Sequence, residues 1–167
     1  MPAKSIVLFA ALLAAGCSNS SPVQPDAGSG DGTTALVVPD PGSRGGRPLT
    51  VTLTTEAEVP ECTEPAPPGR GTAVLTLNPG LGQVCWVIDV EDVNTNFVGA
   101  HIHRASAGEP GAIVVPVQTP DASGHSEGCT TADRALVKDI LQNPEAYYLN
   151  IHNVDCPPGV ARGQLGG

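Results

Sequence analysis

Phe97-Val98-Gly99-Ala100-His101-Ile102-His103-Arg104 is the stretch on which the fold turns. Its β-branched and aromatic residues favour an extended chain. In a strand, residues i and i+2 share a face, about 6.5–7 Å apart. His101 and His103 then point one way. Val98, Ala100 and Ile102 point the other way, into a core. The pattern predicts a strand that carries an ordered pair of imidazoles on its less apolar face.

The chain on either side reads as short strands between Gly/Pro turns. Residues 50–57 alternate, with Val51 and Leu53 inward and Thr50, Thr52 and Thr54 outward. Residues 72–77 repeat this through Ala73, Leu75 and Leu77, and Asn78-Pro79-Gly80 turns the chain. Residues 84–90 are nearly all apolar, which predicts a central strand buried on both faces. After the His-x-His strand, Gly108-Glu109-Pro110-Gly111 turns into a strand over 113–117. Leu136, Val137, Ile140 and Leu141 instead have helical spacing, with Asp133 near the start and Asn143-Pro144 as the stop. Strands over 147–152 and 160–165 close the chain. The expectation is an all-β fold, a Greek-key-like antiparallel β-sandwich of about seven to nine short strands with one short helix at about 133–142.

The N-terminus has a different character. Lys4 is the single charge in residues 1–17, and residues 6–15 are an unbroken apolar run. A bilayer-spanning helix needs about 20 apolar residues, so this run is too short. A basic start, a short apolar centre and small residues at the end make a secretory signal peptide. Ala14-Ala15-Gly16-Cys17 resembles a bacterial lipobox, in which Cys17 would carry the lipid and become the first mature residue. The usual pattern has Leu three places before the cysteine. Here Ala14 stands there and Leu13 lies one place earlier. In residues 18–47, 15 of 30 are Gly, Pro or Ser, a composition that cannot bury enough apolar surface to fold alone. It predicts a flexible linker, interrupted by the small apolar island Ala35-Leu36-Val37-Val38, which Pro39 and Pro41 end. Residues 48–167 are then one domain.

Without Lys4 the chain has 7 basic and 17 acidic residues, a net charge of −10 with His neutral. No basic patch exists to draw nucleic acid or an anionic bilayer, so the membrane is met through the lipid on Cys17 alone. Any protein partner is extracytoplasmic and is not named by the sequence. No Gly-x-Ser-x-Gly nucleophile elbow and no phosphate loop is present, and the acidic residues include no marked acid/base pair. No catalytic residue is assigned.

With Cys17 lipidated, Cys62, Cys85, Cys129 and Cys156 remain. An even number in an exported domain argues for two disulfides, with three pairings open. Cys85–Cys129 and Cys62–Cys156 is preferred. Cys62 and Cys156 both lie in Pro-rich connections, Cys85 starts a central strand, and Cys129 lies just before the helix that packs on the sheet. No Cys-x-x-Cys spacing supports a cysteine metal site.

Five blocks together resemble a known family. They are Glu58-Val59-Pro60, then Gly71-Thr72-Ala73, then Ala100-His101-Ile102-His103 with Gly108 and Gly111. Asn143-Pro144 with Tyr147-Tyr148-Leu149-Asn150-Ile151-His152 follows, and Gly159 with Arg162-Gly163-Gln164-Leu165 comes last. In this order they resemble the CHRD domain, named after chordin and found also in bacterial exported proteins. Asn153 stands where bacterial members usually have Thr. The resemblance covers about residues 50–165. It implies a β-sandwich outside the cytoplasm and no established catalytic activity, and the cysteine positions it shares support the preferred pairing. In chordin such domains accompany modules that bind growth factors.

Two function classes follow. The first is a lipid-anchored, non-enzymatic binding or structural module at the cell surface. In the second, Tyr147, Leu149 and Ile151 point inward and Tyr148, Asn150 and His152 share the polar face of their strand. If that strand neighbours the His-x-His strand, His101, His103 and His152 converge, with Tyr148 and Asn150 beside them. Three imidazoles suit Zn²⁺ or Cu²⁺. The same residues equally make a hydrogen-bonded cluster that fixes strand register and needs no cofactor. Glu58 and Arg162 are expected to form a second polar contact nearby. His125, in a Gly/Ser-rich loop outside the matched blocks, is expected to be solvated. His-x-His on a β-sandwich also resembles copper–zinc superoxide dismutase at the level of fold. The four histidines of this chain are too few for the dinuclear site of that enzyme.

Overall fold

The computed structural model describes residues 46–62 and 68–167. Cys17, the signal-like residues 1–17, the apolar island at 35–38 and most of the expected linker lie outside the described residues. The elements are β1 (Arg47–Thr54), β2 (Arg70–Asn78), β3 (Gln83–Glu91), β4 (Phe97–Arg104), β5 (Ala112–Val117), β6 (His125–Thr131), α1 (Arg134–Gln142), a 3₁₀ turn (Pro144–Ala146), β7 (Tyr147–Asn153) and β8 (Ala161–Gln164).

The antiparallel all-β architecture is as expected. All eight strands are hydrogen-bonded into one sheet, ordered β5-β4-β7-β8-β1-β2-β3-β6. The two layers of the sandwich are therefore halves of a single sheet that nearly closes, because its edge strands β5 and β6 meet. The inward residues of every layer join one core. Leu53, Leu75, Leu77, Val84, Ile88, Ile102, Val115, Leu149 and Ile151 are fully buried in it. Each such side chain contributes about 1.5–3 kcal/mol relative to exposure. Val137 and Ile140 of α1 join the same cluster. The helix starts after Asp133, whose carboxylate accepts from the Ala135 and Leu136 amides at 2.8 and 3.1 Å and so caps it.

The four described cysteines pair as Cys62–Cys156 and Cys85–Cys129. Cys85 and Cys129 face one another directly across β3 and β6, which ties an edge strand to its neighbour. Cys62–Cys156 ties the segment after β1 to the β7–β8 connection, across 94 residues of sequence.

Three expectations need correction. Residues 125–131 are a strand, not a loop. Their inward positions are Ser126, Gly128 and Thr130, so no apolar alternation announces β6. It forms because β3 offers it a ladder, and because small residues are needed there. A Cβ at Gly128 would come within 2.9 Å of the Trp86 ring. His125 accordingly is not simply solvated, since its Nδ1 lies 2.7 Å from Asp89 Oδ1 on β3. Second, β3 is not central but lies next to the edge strand β6. Third, Val98 does not enter the core and is 59 % exposed. Phe97 pairs with Asn153 and Gly99 with His152, so Val98 is the extra residue of a β-bulge and is pushed outward.

Ser126 carries the near-closure of the sheet. Its hydroxyl accepts from Trp86 Nε1 at 3.0 Å and donates to the Gln118 carbonyl, just beyond β5, at 2.7 Å. Ser126→Ala leaves a buried indole N–H without its acceptor. The expected loss is about 1–3 kcal/mol, read as a lower denaturant midpoint at unchanged m-value. An unchanged midpoint would show that this bridge does not hold β6.

Candidate functional site

β4 and β7 are adjacent, and their register sets up the site. On the outer face, His103 stands opposite Tyr148, His101 opposite Asn150, and Gly99 opposite His152. The rows continue across β8, with Tyr148 opposite Gln164 and Asn150 opposite Arg162. Tyr148, Asn150, His152 and Arg162 thus share one face with the two histidines of β4. Gly99 has no side chain, so the space opposite His152 is free for rings. A Cβ at Gly99 would lie 3.0 Å from His101 Cε1 and 3.6 Å from His152 Cδ2. The two imidazoles lean into that gap from adjacent rows.

The result is a three-histidine cluster. Ring centroids are 5.7 Å apart for His101–His103, 5.1 Å for His101–His152 and 5.8 Å for His103–His152. One nitrogen from each ring lies within 4.8 Å of the others. His103 Nδ1 is 2.9 Å from the Gly111 carbonyl, and His152 Nδ1 is 3.0 Å from the Pro157 carbonyl. A carbonyl only accepts, so both Nδ1 atoms carry the hydrogen and both Nε2 atoms present lone pairs. Those two Nε2 atoms and His101 Nδ1 are buried, with no hydrogen-bond partner among the described residues. Lone pairs without donors are costly to bury. Here two of them, with the unpartnered His101 Nδ1, lie on three neighbouring rings. A metal-binding histidine commonly donates its other ring N–H to such a carbonyl.

All three imidazoles have pKa values below the ordinary histidine range. Burial is the largest cause in each. For His101 the neighbouring His152 and His103 add to it. For His103 the Gly111 carbonyl opposes it and the Arg162 cation adds to it. For His152 the Pro157 carbonyl opposes it and His103 adds to it. The cluster is therefore neutral at pH 7, as metal ligation requires.

The outer face is not bare. Residues 105–111, between β4 and β5, fold over it and are held by four groups. Arg162 donates to the Ser106 and Glu109 carbonyls at 3.1 and 3.0 Å. Gln164 donates to the Ala105 carbonyl at 2.8 Å, and the Gly111 amide donates to Tyr148 Oη at 3.0 Å. His103 completes the set through Gly111. Tyr148 stacks on His103 at 4.8 Å with 12° between the planes, and the Arg162 guanidinium lies 3.5 Å from the Tyr148 ring centroid on the same stack. This cover is why Tyr148 and Asn150 are buried although they sit on the polar face.

Glu58 and Arg162 lie in this layer, both buried, at 4 % and 2 % exposure, but the expected direct contact does not form, because the Arg162 guanidinium is held by the Ser106 and Glu109 carbonyls and acts on Glu58 only through its charge. Burial pushes the Glu58 carboxyl up to about 8, against the opposing Arg162 cation. The geometry agrees. A Cβ at Gly159 would overlap both Glu58 oxygens and Asn150 Oδ1, so these acceptors crowd one spot. Asn150 Nδ2 is committed to the Pro158 carbonyl at 3.1 Å, and Glu58 Oε1 and Asn150 Oδ1 have no partner among the described residues. A proton on Glu58 satisfies both. Neither its burial nor its role as a proton donor was legible in the sequence; the signal for it was Glu58-Val59-Pro60 beside Gly159, whose packing together no periodicity reveals.

The folded Glu58 holds its proton to a higher pH than the unfolded side chain, whose value is 4.5. Its contribution to stability is complete below pH 4.5 and is lost as pH rises through about 8. The three clustered histidines act in the opposite sense but only near and below their unfolded value of 6.5, whereas His125, whose pKa the Asp89 carboxylate raises, acts in the same sense as Glu58. Between pH 6.5 and 8 the stability of the protein should therefore fall with rising pH, by at most about 1.4 kcal/mol per unit for each of Glu58 and His125. In Glu58→Gln, which keeps a donor towards Asn150, that slope should fall to the part that the His125–Asp89 pair carries. An equal slope in both proteins, from urea melts across this range, would place the titration elsewhere.

No curated protein and no solved structure matches this chain. A family model described as the CHRD domain matches residues 49–165 and takes in β1 to β8, the three histidines, Glu58 and Arg162, so the chain belongs to the CHRD domain family.

Proposed function

We propose that this protein is an exported, lipid-anchored CHRD module that binds one transition-metal ion, zinc or copper, and is not an enzyme. Cys17 is the anchor, and the domain stands outside the cytoplasm. The lipobox-like Ala14-Ala15-Gly16-Cys17 supports the anchor. Two disulfides support an oxidising compartment. The observation that carries the metal is the set of three buried imidazole nitrogens without partners on three rings that each bring one nitrogen within 4.8 Å of the others, two of the rings being oriented from behind by carbonyls. Nitrogens bound to one tetrahedral zinc stand about 3.3–3.4 Å apart, given bonds of about 2.0–2.1 Å. The purely structural reading leaves those same three nitrogens without a role.

Metal analysis of the purified, tag-free protein is expected to find about one equivalent after incubation with Zn²⁺ or Cu²⁺. The ion should raise the melting temperature, since a ligand at 100 times its Kd stabilises the folded state by about 2.7 kcal/mol. His101→Ala, His103→Ala and His152→Ala should each abolish the rise, and His125→Ala should keep it. A cluster that only fixes strand register would give no rise in the parent protein.

Cys17→Ser should release the protein from the membrane fraction or leave its signal unprocessed. A variant that fractionates and migrates like the parent would remove the anchor from this reading.

A further inference from the structure

We infer that the three-histidine site selects a univalent ion, copper in the cuprous state, over divalent ions such as Zn²⁺. This rests on the metal-binding reading above and adds the charge of the ion to it.

The first ground is the ligand set. Among the described residues, the metal-capable group contains three histidines and no carboxylate or thiolate. In two of its imidazoles the Gly111 and Pro157 carbonyls hold the hydrogen on Nδ1, which leaves Nε2 as an uncharged donor atom for the ion. Nothing in the set neutralises an incoming ion. Cuprous ion, with a filled d shell, is satisfied by three neutral imidazoles. Zinc takes a fourth ligand, and a neutral set leaves both of its charges uncompensated.

The second ground is a fixed cation behind the site. Arg162 is 2 % exposed, and its guanidinium is pinned by the Ser106 and Glu109 carbonyls. It lies 3.5 Å over Tyr148, which itself stacks 4.8 Å from His103. Its field therefore reaches the site through two rings in contact. The carboxyl that shares these surroundings, Glu58, keeps its proton to about pH 8 and so does not cancel the charge at pH 7. In a site of effective dielectric about 20, each additional charge on an ion about 10 Å from a fixed cation lowers affinity roughly tenfold. Arg162 thus penalises a divalent ion once more than a univalent one.

The test compares two ions on the full-length mature protein. Cuprous affinity is measured anaerobically with ascorbate by competition with bicinchoninate, and Zn²⁺ affinity by competition with a zinc-responsive chelator. Cu⁺ is expected to bind at least tenfold more tightly than Zn²⁺. In Arg162→Gln the ratio should shrink by roughly tenfold, chiefly because Zn²⁺ binds better. Arg162→Lys keeps the charge and loses the planar clamp, so it should keep the ratio. A Zn²⁺ affinity equal to or above that of Cu⁺ in the parent protein overturns the inference, even if neither variant folds. A ratio unchanged by Arg162→Gln in a folded variant also overturns it. If neither ion binds, or if binding survives His103→Ala, the metal-binding reading itself fails, and this result is distinct from binding without preference.

Discussion

The structure depends on the register between β4 and β7. A strand slipped by one residue turns every side chain to the other face. Here the pairing of Gly99 with His152, of His101 with Asn150 and of His103 with Tyr148 places all the polar groups outside and Ala100, Ile102, Leu149 and Ile151 inside. The bulge at Val98 sets this phase. It spends one exposed valine to bring a residue without a side chain opposite His152. A second irregularity, between Ile102 and His103 on the β5 side, brackets the same strand. Bulges bend a strand and re-aim its side chains. With one on each side, β4 presents its two imidazoles at a fixed angle.

A second layer is then built on the outer face of the sheet. Residues 105–111 and 157–159 lie over β4, β7 and β8 and supply carbonyls rather than side chains to the site. Gly111 and Pro157 orient two histidines, and Ser106 and Glu109 hold Arg162. The contacts are mutual. Arg162, Tyr148 and Gln164 fix the loop, and the loop fixes His103. Buried charge and buried lone pairs coexist here because each ring stack and each carbonyl defines one orientation. The Cys62–Cys156 bridge anchors the neighbouring connection, which carries Pro157, against the segment after Glu58. It so restrains the side of the site that the ladder does not reach.

What local pattern can express was legible in the sequence. Period-two alternation, one continuous apolar run and Gly/Pro turns together placed seven of the strands, helical spacing and Asp133 placed α1, and the parity of Tyr147-Tyr148-Leu149-Asn150-Ile151-His152 put His152 on an outward face. Those are properties of a few consecutive residues, and a strand or helix imposes them wherever it lies in the fold. The spacing of the cysteines, with the family resemblance, pointed to the pairing that is found.

Tertiary structure decided the rest, because the forces involved act between residues distant in the chain. β6 has no apolar alternation; its small inward residues answer to Trp86 on β3, which no local pattern contains. Val98 fits the inward phase by sequence and is exposed because the ladder to β7 skips it. The adjacency of β4 and β7, and so the meeting of three imidazoles, is a choice of strand order. The proton on Glu58 arises only when Asn150, Gly159 and Arg162 are packed around it, since desolvation is a property of the assembled layer and not of the residue.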